Sequence, residues 1–327
     1  MSPKVSVVLC GYNQGEFLRA AVDSVLGQTF TDFELIAVDN GSTDNSAAIL
    51  RTYELDPRVR LTLHPKNESV NRRFNQAVAE ARGEYVSFLL ADDFYLPEKL
   101  RRLLDCIQAL PSDFAVVYGP SYRLNALTNE RWVSKSLKES GSVLEKMLLD
   151  YFRQGPISFI APLIKRDVLT RIPFYDDLFF EGEAYFFRLA MHCKFQYLDE
   201  PLVVMRDHPK NMGKAIKLNS AILQIVIHRL ESDPAFPKEF AGAINAFWGR
   251  HMLNCAWQGV RVAEDGDWAI ECVRTAIYRR TGYILHPKIL SALLLAMLPK
   301  ALLHAINAMA DRISASKGVR GFKLDHS

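Results

Sequence analysis

Short apolar runs alternate with stretches of helical periodicity through the first hundred residues. Residues 5–9, apolar but for Ser6, have the pattern of a buried strand, and residues 16–26 gather Phe17, Ala20, Ala21 and Val25 on one helical face. The alternation continues with a strand at 33–38, a helix at 46–53, a strand at 59–64, a helix near 70–81 and an apolar strand at 85–90. Strand and helix in turn predict parallel βαβ units, whose ligands bind beyond the carboxyl ends of the strands. From about residue 111 the segments lengthen and lose regularity, with strands expected at 156–164 and 195–205. Beyond about residue 215 the pattern is helical, with main helices expected at 215–231, 240–262 and 289–310.

Composition narrows the class. Of the 327 residues, 49% are hydrophobic and 24% charged, which sets aside disordered and fibrous proteins. The net charge is +3, and the lysines and arginines are spread among acids with no concentrated basic stripe, so nucleic acid is not an expected partner. Cys10, Cys106, Cys193, Cys255 and Cys272 are far apart and odd in number. They read as reduced thiols, and their spacing suits neither a zinc site nor a disulfide framework. The opening residues show no charged segment followed by an apolar one, so a cytoplasmic protein is expected.

The residues just after the strands are polar and acidic in three separate segments: Gly11-Tyr12-Asn13, then Asp39-Asn40-Gly41-Ser42-Thr43-Asp44, then Ala91-Asp92-Asp93. Carboxylates where a buried strand reaches solvent suit Mg²⁺ or Mn²⁺, which share their remaining positions with substrate phosphates. The plainer reading is that Asp92 and Asp93 cap the helix begun by Pro97 and Glu98. For the second segment, carboxylate and amide groups can read the edge of a base while Gly41 permits a positive φ. Ordinary turn and cap chemistry is the alternative there.

Taken together, residues 5–13, 24–44 and 83–93 resemble, in order and spacing, the inverting family 2 glycosyltransferases. The resemblance is strong over residues 3–110, moderate to 213, and absent beyond. It implies an α/β fold of the GT-A type, a mostly parallel mixed sheet between helices, and a nucleoside-diphosphate sugar donor. It divides the chain into a GT-A domain at 1–213, with a nucleotide-binding half at 1–110 and an acceptor half at 111–213, and a helical region at 214–327.

Carried over residue by residue, the family's base pocket falls on Cys10, Tyr12, Asp39 and Asn40, with Tyr12 stacking near the base. Its metal-binding acid falls on Asp92, with Ala91 beside it and Asp93 as a further metal candidate. Two departures stand out. Asn40 occupies a position where the family often has an Asp that reads a uracil imide, which leaves UDP, dTDP and GDP all open as donors. The Asp-x-Asp motif reads Leu90-Ala91-Asp92, so only its last acid is present. His208 matches an Arg-x-His element near the diphosphate and joins the metal candidates, while Arg72 and Arg73 are diphosphate candidates on a helix.

On the acceptor side, residues 179–190 resemble the acidic motif that supplies the general base before a helix ending Arg-Leu-Ala. The commonest base position falls on Gly182, so the base is expected at Glu183, with Glu181 as the alternative. The implied activity is inverting, metal-assisted, hexosyltransferase-like transfer to an acceptor that is a saccharide, a lipid-linked sugar or a small molecule. A catalytically inactive nucleotide-sugar-binding module and a sugar nucleotidyltransferase are the rivals. The apolar residues 289–298 and 301–309, broken at Pro299-Lys300, are too short to span a bilayer. They are expected to pack on the catalytic domain or in a homodimer. The alternative is peripheral attachment to the inner face of a membrane, helped by Lys300, Arg312, Lys317, Arg320 and Lys323.

Overall fold

The computed structural model describes residues 2–316, so Lys317, Arg320 and Lys323 lie outside the described residues. Contacts divide the chain into two compact units. One comprises the residues up to Leu144 with Pro156–Asn211 and Ile222–Leu230; the other comprises Glu145–Gly155, Met212–Ala221 and the chain from Glu231 onward.

The first unit opens with β1 (Val5–Gly11), α1 (Gly15–Leu26), β2 (Phe33–Asp39), α2 (Ser46–Arg51), β3 (Val59–Leu63), α3 (Val70–Glu80) and β4 (Tyr85–Leu90). β5 (Phe94–Tyr95), α4 (Lys99–Gln108), β6 (Phe114–Tyr118), β7 (Tyr122–Asn125) and β8 (Arg131–Val133) follow. After α5 (Leu144–Gln154), which from Glu145 belongs to the second unit, come β9 (Leu163–Lys165), α6 (Arg166–Arg171), α7 (Tyr185–Leu189), β10 (Lys194–Tyr197) and β11 (Val203–Asp207). Every position of β2 is buried, Glu34 and Asp39 included, as its mostly apolar pattern demands of a central strand covered on both faces.

Seven strands form one sheet in the order β10-β6-β9-β4-β1-β2-β3, with β9 antiparallel to both neighbours and the other pairs parallel. A smaller sheet, β5-β11-β7-β8, stands apart from it. The register sets Gly11 beside Asp39 and Cys10 beside Leu90, so the ends of β1, β2 and β4 finish level. The core between α3 and the sheet is aromatic. Phe74 lies 4.8 Å from Phe88 and 5.3 Å from Phe159, ring to ring, and all three are fully buried. Each such side chain contributes about 1.5–3 kcal/mol through removal from water.

The second unit is helical, with α8 (Ile216–Glu231), of which residues 216–221 belong to it, then α9 (Ala241–Arg261), α10 (Gly266–Arg279), α11 (Pro287–Ala296) and α12 (Lys300–Ser316). α10 starts at Asp265, whose carboxylate accepts from the Trp268 amide at 2.9 Å, and buries Ala269, Cys272, Val273 and Ala276 at helical spacing. α10 and α11 pack on α9, and α12 is tied to α9 by Asn307, which donates to the Val260 carbonyl at 2.8 Å.

The expected strands and helices of residues 5–90 stand where the pattern put them, to within a residue or two. Three expectations need correction. Residues 156–162 are irregular, and only Leu163–Lys165 pairs, because Pro156 and Pro162 interrupt the ladder. The span 195–205 is two strands in different sheets, separated at Glu200-Pro201. The helix expected at 289–310 is two, broken at Pro299.

Candidate active site

The sheet's carboxyl edge is where the three polar segments meet. The Asn40 amide donates to the Gly11 carbonyl at 2.9 Å and the Ala91 amide to the Cys10 carbonyl at 3.2 Å, which carries the ladder past the strand ends. Ala91 packs so closely that a Cβ on Gly11 would stand 2.6 Å from its own, so a glycine at 11 lets β1 and the β4 end converge. Cys10 is buried and its thiol is pushed up to about 12 by burial, so it faces the site as a neutral thiol. Tyr12 is 39% exposed, an open ring at the mouth of the edge.

Asp39 and Asn40, adjacent in sequence, do different things. Asp39 accepts from the Ser42 amide at 3.0 Å through Oδ2, while its Oδ1 is buried with no hydrogen-bond partner among the described residues. A buried acceptor left without a donor costs about 1–3 kcal/mol, which marks it as a position for a ligand N–H. Asn40 has no such vacancy. Its Nδ2 donates to Asn67 Oδ1 and the Glu68 carbonyl, both at 2.8 Å, and its Oδ1 accepts from Arg73 Nε at 2.8 Å.

Arg73 is buried and also donates to the Lys66 carbonyl at 3.2 Å, so Asn40 and Arg73 together hold the 66–68 loop. That loop lies against Gly41, whose φ is +76° and whose Cβ, were there one, would be 2.2 Å from the Lys66 carbonyl carbon. Arg72 points outward, half exposed, with Glu68 at 3.6 Å. Asp44 fills the cap role, accepting from the Ser46 amide at 2.9 Å and the Gly15 amide at 3.0 Å.

At the end of β4 the acids do not cap the next helix, because α4 begins at Glu98 with no side-chain cap and β5 intervenes. Strand β11 of the small sheet meets them instead. Arg206 donates through Nη1 to the Asp92 carbonyl at 2.7 Å, and its amide donates to Asp93 Oδ1 at 2.8 Å. His208 Nε2 lies 3.2 Å from Asp92 Oδ2, and Asn211 Nδ2 donates to the same oxygen at 3.2 Å.

The Lys210 amide donates to His208 Nδ1 at 3.3 Å, which fixes the ring with Nε2 toward Asp92, and Phe17 covers it at 4.8 Å. Asp92 and His208 are therefore neighbours, a carboxylate and an imidazole suited to Mn²⁺ or Mg²⁺ with a diphosphate supplying the remaining oxygens. Asp93 is buried beneath, and burial and the neighbouring Asp92 push its carboxyl well above the usual range. Among the described residues no group of three His, Cys, Asp or Glu side chains could hold a metal by itself.

Glu181 and Glu183 also part company. Glu181 is buried, accepts from Arg188 Nη1 at 3.0 Å on both oxygens, and accepts from the Tyr175 amide at 3.2 Å. Arg188 in turn lies over the Tyr175 ring at 3.6 Å. Burial outweighs Arg188 and raises the Glu181 carboxyl to about 7.

The backbone of the segment is clamped to α3. The Glu181 amide donates to Asn71 Oδ1 at 3.0 Å, and Asn71 Nδ2 donates to the Tyr175 carbonyl at 2.9 Å. Glu183, beyond Gly182 with its φ of +54°, makes no salt bridge among the described residues. It is half-buried, its carboxyl is raised by desolvation, and Arg123 pulls the other way. Arg123 exerts the same pull on Asp93, which sets Glu183 and the acid pair in one electrostatic neighbourhood.

Residues 6–169, half of the chain, match the family model "Glycosyl transferase family 2". The chain belongs to glycosyltransferase family 2. An uncharacterized glycosyltransferase of Nostoc sp., alr2836, is 32% identical over 52% of this chain, which spans about half (53%) of that relative's length. S. aureus TarS 1-349 in complex with UDP-GlcNAc superposes with a TM-score of 0.65 at 16% identity, covering 96% of this chain and 92% of that one. The mannosyltransferase PcManGT from Pyrobaculum calidifontis, in complex with GDP-Man and Mn²⁺, gives a TM-score of 0.59 at 15% identity, covering 95% of this chain and 88% of the other. These likenesses establish the GT-A fold, with its mostly parallel central sheet and helical C-terminal region.

Within that family 2 frame, three site residues escape a reading of the sequence. Arg206 was visible only as the first residue of an Arg-x-His element, Arg123 sits on an unremarkable short strand, and Asn211 follows a Pro-Lys pair. Only the small sheet's pairing, with β11 between β5 and β7, brings them to the acids. The spacing of Asn211 three residues after His208 was the available signal, since Asn at that offset closes a turn on the His208 amide, here at 2.6 Å.

Proposed function

We propose that the protein transfers a sugar from a nucleoside-diphosphate sugar to an acceptor hydroxyl with inversion, Glu183 serving as general base and Asp92 with His208 serving as the metal ligands. The observation that carries the donor reading is Asp39: a buried carboxylate oxygen with no donor among the described residues, at the carboxyl edge of the sheet beside an open Tyr12. An imide or amino N–H of a base satisfies that oxygen, and the Tyr12 ring supplies a stacking face. Asn40 and Arg73 support the pocket from behind by fixing the 66–68 loop.

Displacement at the anomeric carbon requires a carboxylate that takes the acceptor proton as its oxygen attacks. Glu183 suits this, since it is free of ion pairs among the described residues and desolvation raises its proton affinity. Glu181 is occupied by Arg188 and positions the segment. When bound, Mn²⁺ or Mg²⁺ neutralises charge building on the diphosphate leaving group. Asp92 and His208 are the side chains that hold it, and Arg206 keeps the Asp92 backbone in place. The five unpaired thiols favour a cytoplasmic setting.

A thermal-shift series with UDP, dTDP and GDP, each with and without Mn²⁺, tests the donor reading. One nucleotide raises Tm, and more so with the metal. No shift with any nucleotide counts against it.

A further inference from the structure

Half of the large apolar side chains that stand exposed, nine of eighteen among the described residues, fall between residues 278 and 309, about a tenth of the chain. They are ordered rather than scattered. α11 buries Ile289 and Ala292 against its neighbours and turns Leu290, Leu294 and Met297 outward, at offsets of four and seven residues. α12 repeats the pattern, burying Leu303 and Asn307 while Leu302, Ile306 and Met309 face solvent at the same offsets. Leu294, Met297 and Met309 are 69%, 79% and 64% exposed. Each helix thus has a buried side used within the helical unit and an apolar side left open, which is the mark of a surface that meets something else.

Charge says what that something is. Residues 272–310 contain no Asp or Glu and five Lys or Arg: Arg274, Arg279, Arg280, Lys288 and Lys300. Arg280, Lys288 and Lys300 are exposed, and Arg312 follows at the far end of α12. Glu271 precedes the stretch, and two other acids beside it are already engaged, Glu264 with His304 at 3.0 Å and Asp311 with Arg261 at 3.2 Å.

We propose that α11 and α12 seat the helical unit on an anionic lipid bilayer, their open apolar faces entering the acyl boundary and Arg280, Lys288, Lys300 and Arg312 meeting the headgroups. A second copy of the chain fits less well. A two-fold contact through this surface sets the cationic rims of both copies against each other. No described helix is long and apolar enough to cross a membrane, so the contact is peripheral. The sequence pattern alone had favoured a packed or dimeric role for these helices. Their outward faces and the acid-free rim turn the reading toward lipid.

The test is sedimentation of the full chain with vesicles of phosphatidylcholine alone or with about 30 mol% phosphatidylglycerol. The protein sediments with the anionic vesicles and not with the neutral ones, and binding weakens at least about tenfold in roughly 0.5 M NaCl, where the Debye length falls below about 5 Å. Leu294→Glu with Ile306→Glu lowers anionic-vesicle binding at least about tenfold, because two open apolar contacts are lost and negative charge is added, while Tm stays unchanged. Should the glutamates unfold the unit, Leu294→Ser with Ile306→Ser replaces them, and a folded serine variant that binds as well as the parent overturns the proposal. Equal binding to neutral vesicles also overturns it. So does a stable dimer that ignores vesicles and that the same substitutions convert to monomer, since a second copy then covers the surface.

Discussion

Glu183→Gln preserves the size of the side chain and removes its proton-accepting charge, so its effect isolates base chemistry from packing. A positioned general base contributes about 10²–10⁴-fold, and turnover should fall at least about a hundredfold with donor affinity nearly unchanged. Stability should barely move, because Glu183 makes no salt bridge among the described residues. Glu181→Gln should behave in the opposite way. It keeps one acceptor for Arg188 but replaces the other, also 3.0 Å from Nη1, with an NH₂ donor that faces the guanidinium in a buried site. Leaving a buried partner mispaired costs about 1–3 kcal/mol, a Tm loss of roughly 2–12 °C at about 2–4 °C per kcal/mol.

Nucleoside-diphosphate release, followed alongside thermal denaturation of both variants, separates the roles. The pH profile adds a second readout. Desolvation raises the Glu183 carboxyl, so the acid limb of kcat/KM should lie above the ordinary glutamate range, and Glu183→Gln should erase it. If Glu181→Gln abolishes turnover at unchanged Tm while Glu183→Gln is silent, the base is Glu181 and the division of labour drawn from the Arg188 pair is refuted.

Asp39→Asn keeps the contact with the Ser42 amide but weakens the acceptor facing the base. Donor KM should rise at least about tenfold with kcat near the parent value, the loss expected for a charge-assisted hydrogen bond, and unchanged donor KM in steady-state assays would exclude Asp39 from base recognition. Glu181 also predicts a slope in stability. Its folded value of about 7 exceeds the ordinary 4.5, so the native state binds the proton more tightly and stability should decline as pH rises between those values. Denaturant titrations should show that slope in the parent and less of it in Glu181→Gln.

The large sheet was legible in the sequence because β1, β2 and β4 are mostly apolar and β3 alternates, each bounded by turn residues, and the register then follows from parallel pairing. The small sheet was not. β5, β7 and β8 are two to four residues long and partly exposed, so they carry little hydrophobic signal, and β11, apolar at Val203–Met205, was merged with β10 in the strand expected at 195–205. Helix α10 was readable in principle, since Ala269, Cys272, Val273 and Ala276 repeat at helical spacing behind the Asp265 cap.

At the site, sequence placed the acids at strand ends but could not say which were spent on structure. Asn40 is committed by partners 27, 28 and 33 residues away, and Glu181 by an arginine reached around a helical turn. Such commitments depend on tertiary contacts, and pattern along the chain does not encode them. The plain capping reading survived for Asp44 and failed for Asp92, where the difference is the insertion of β5 before the helix.

The most direct measurement is release of nucleoside diphosphate from UDP-, dTDP- and GDP-sugars by the full chain, with and without Mn²⁺, for the parent and Asp92→Ala. Asp92 is 13% exposed at the end of a strand, and its side chain is bonded only to His208 and Asn211 among the described residues, so its removal should leave the stability within about 1 kcal/mol of the parent. The account predicts that the parent releases nucleotide from one donor class only when Mn²⁺ is present, and that Asp92→Ala, still folded, releases none above background. Release that needs no metal and proceeds equally in Asp92→Ala would contradict it, as would a parent that binds nucleotide yet cleaves no donor.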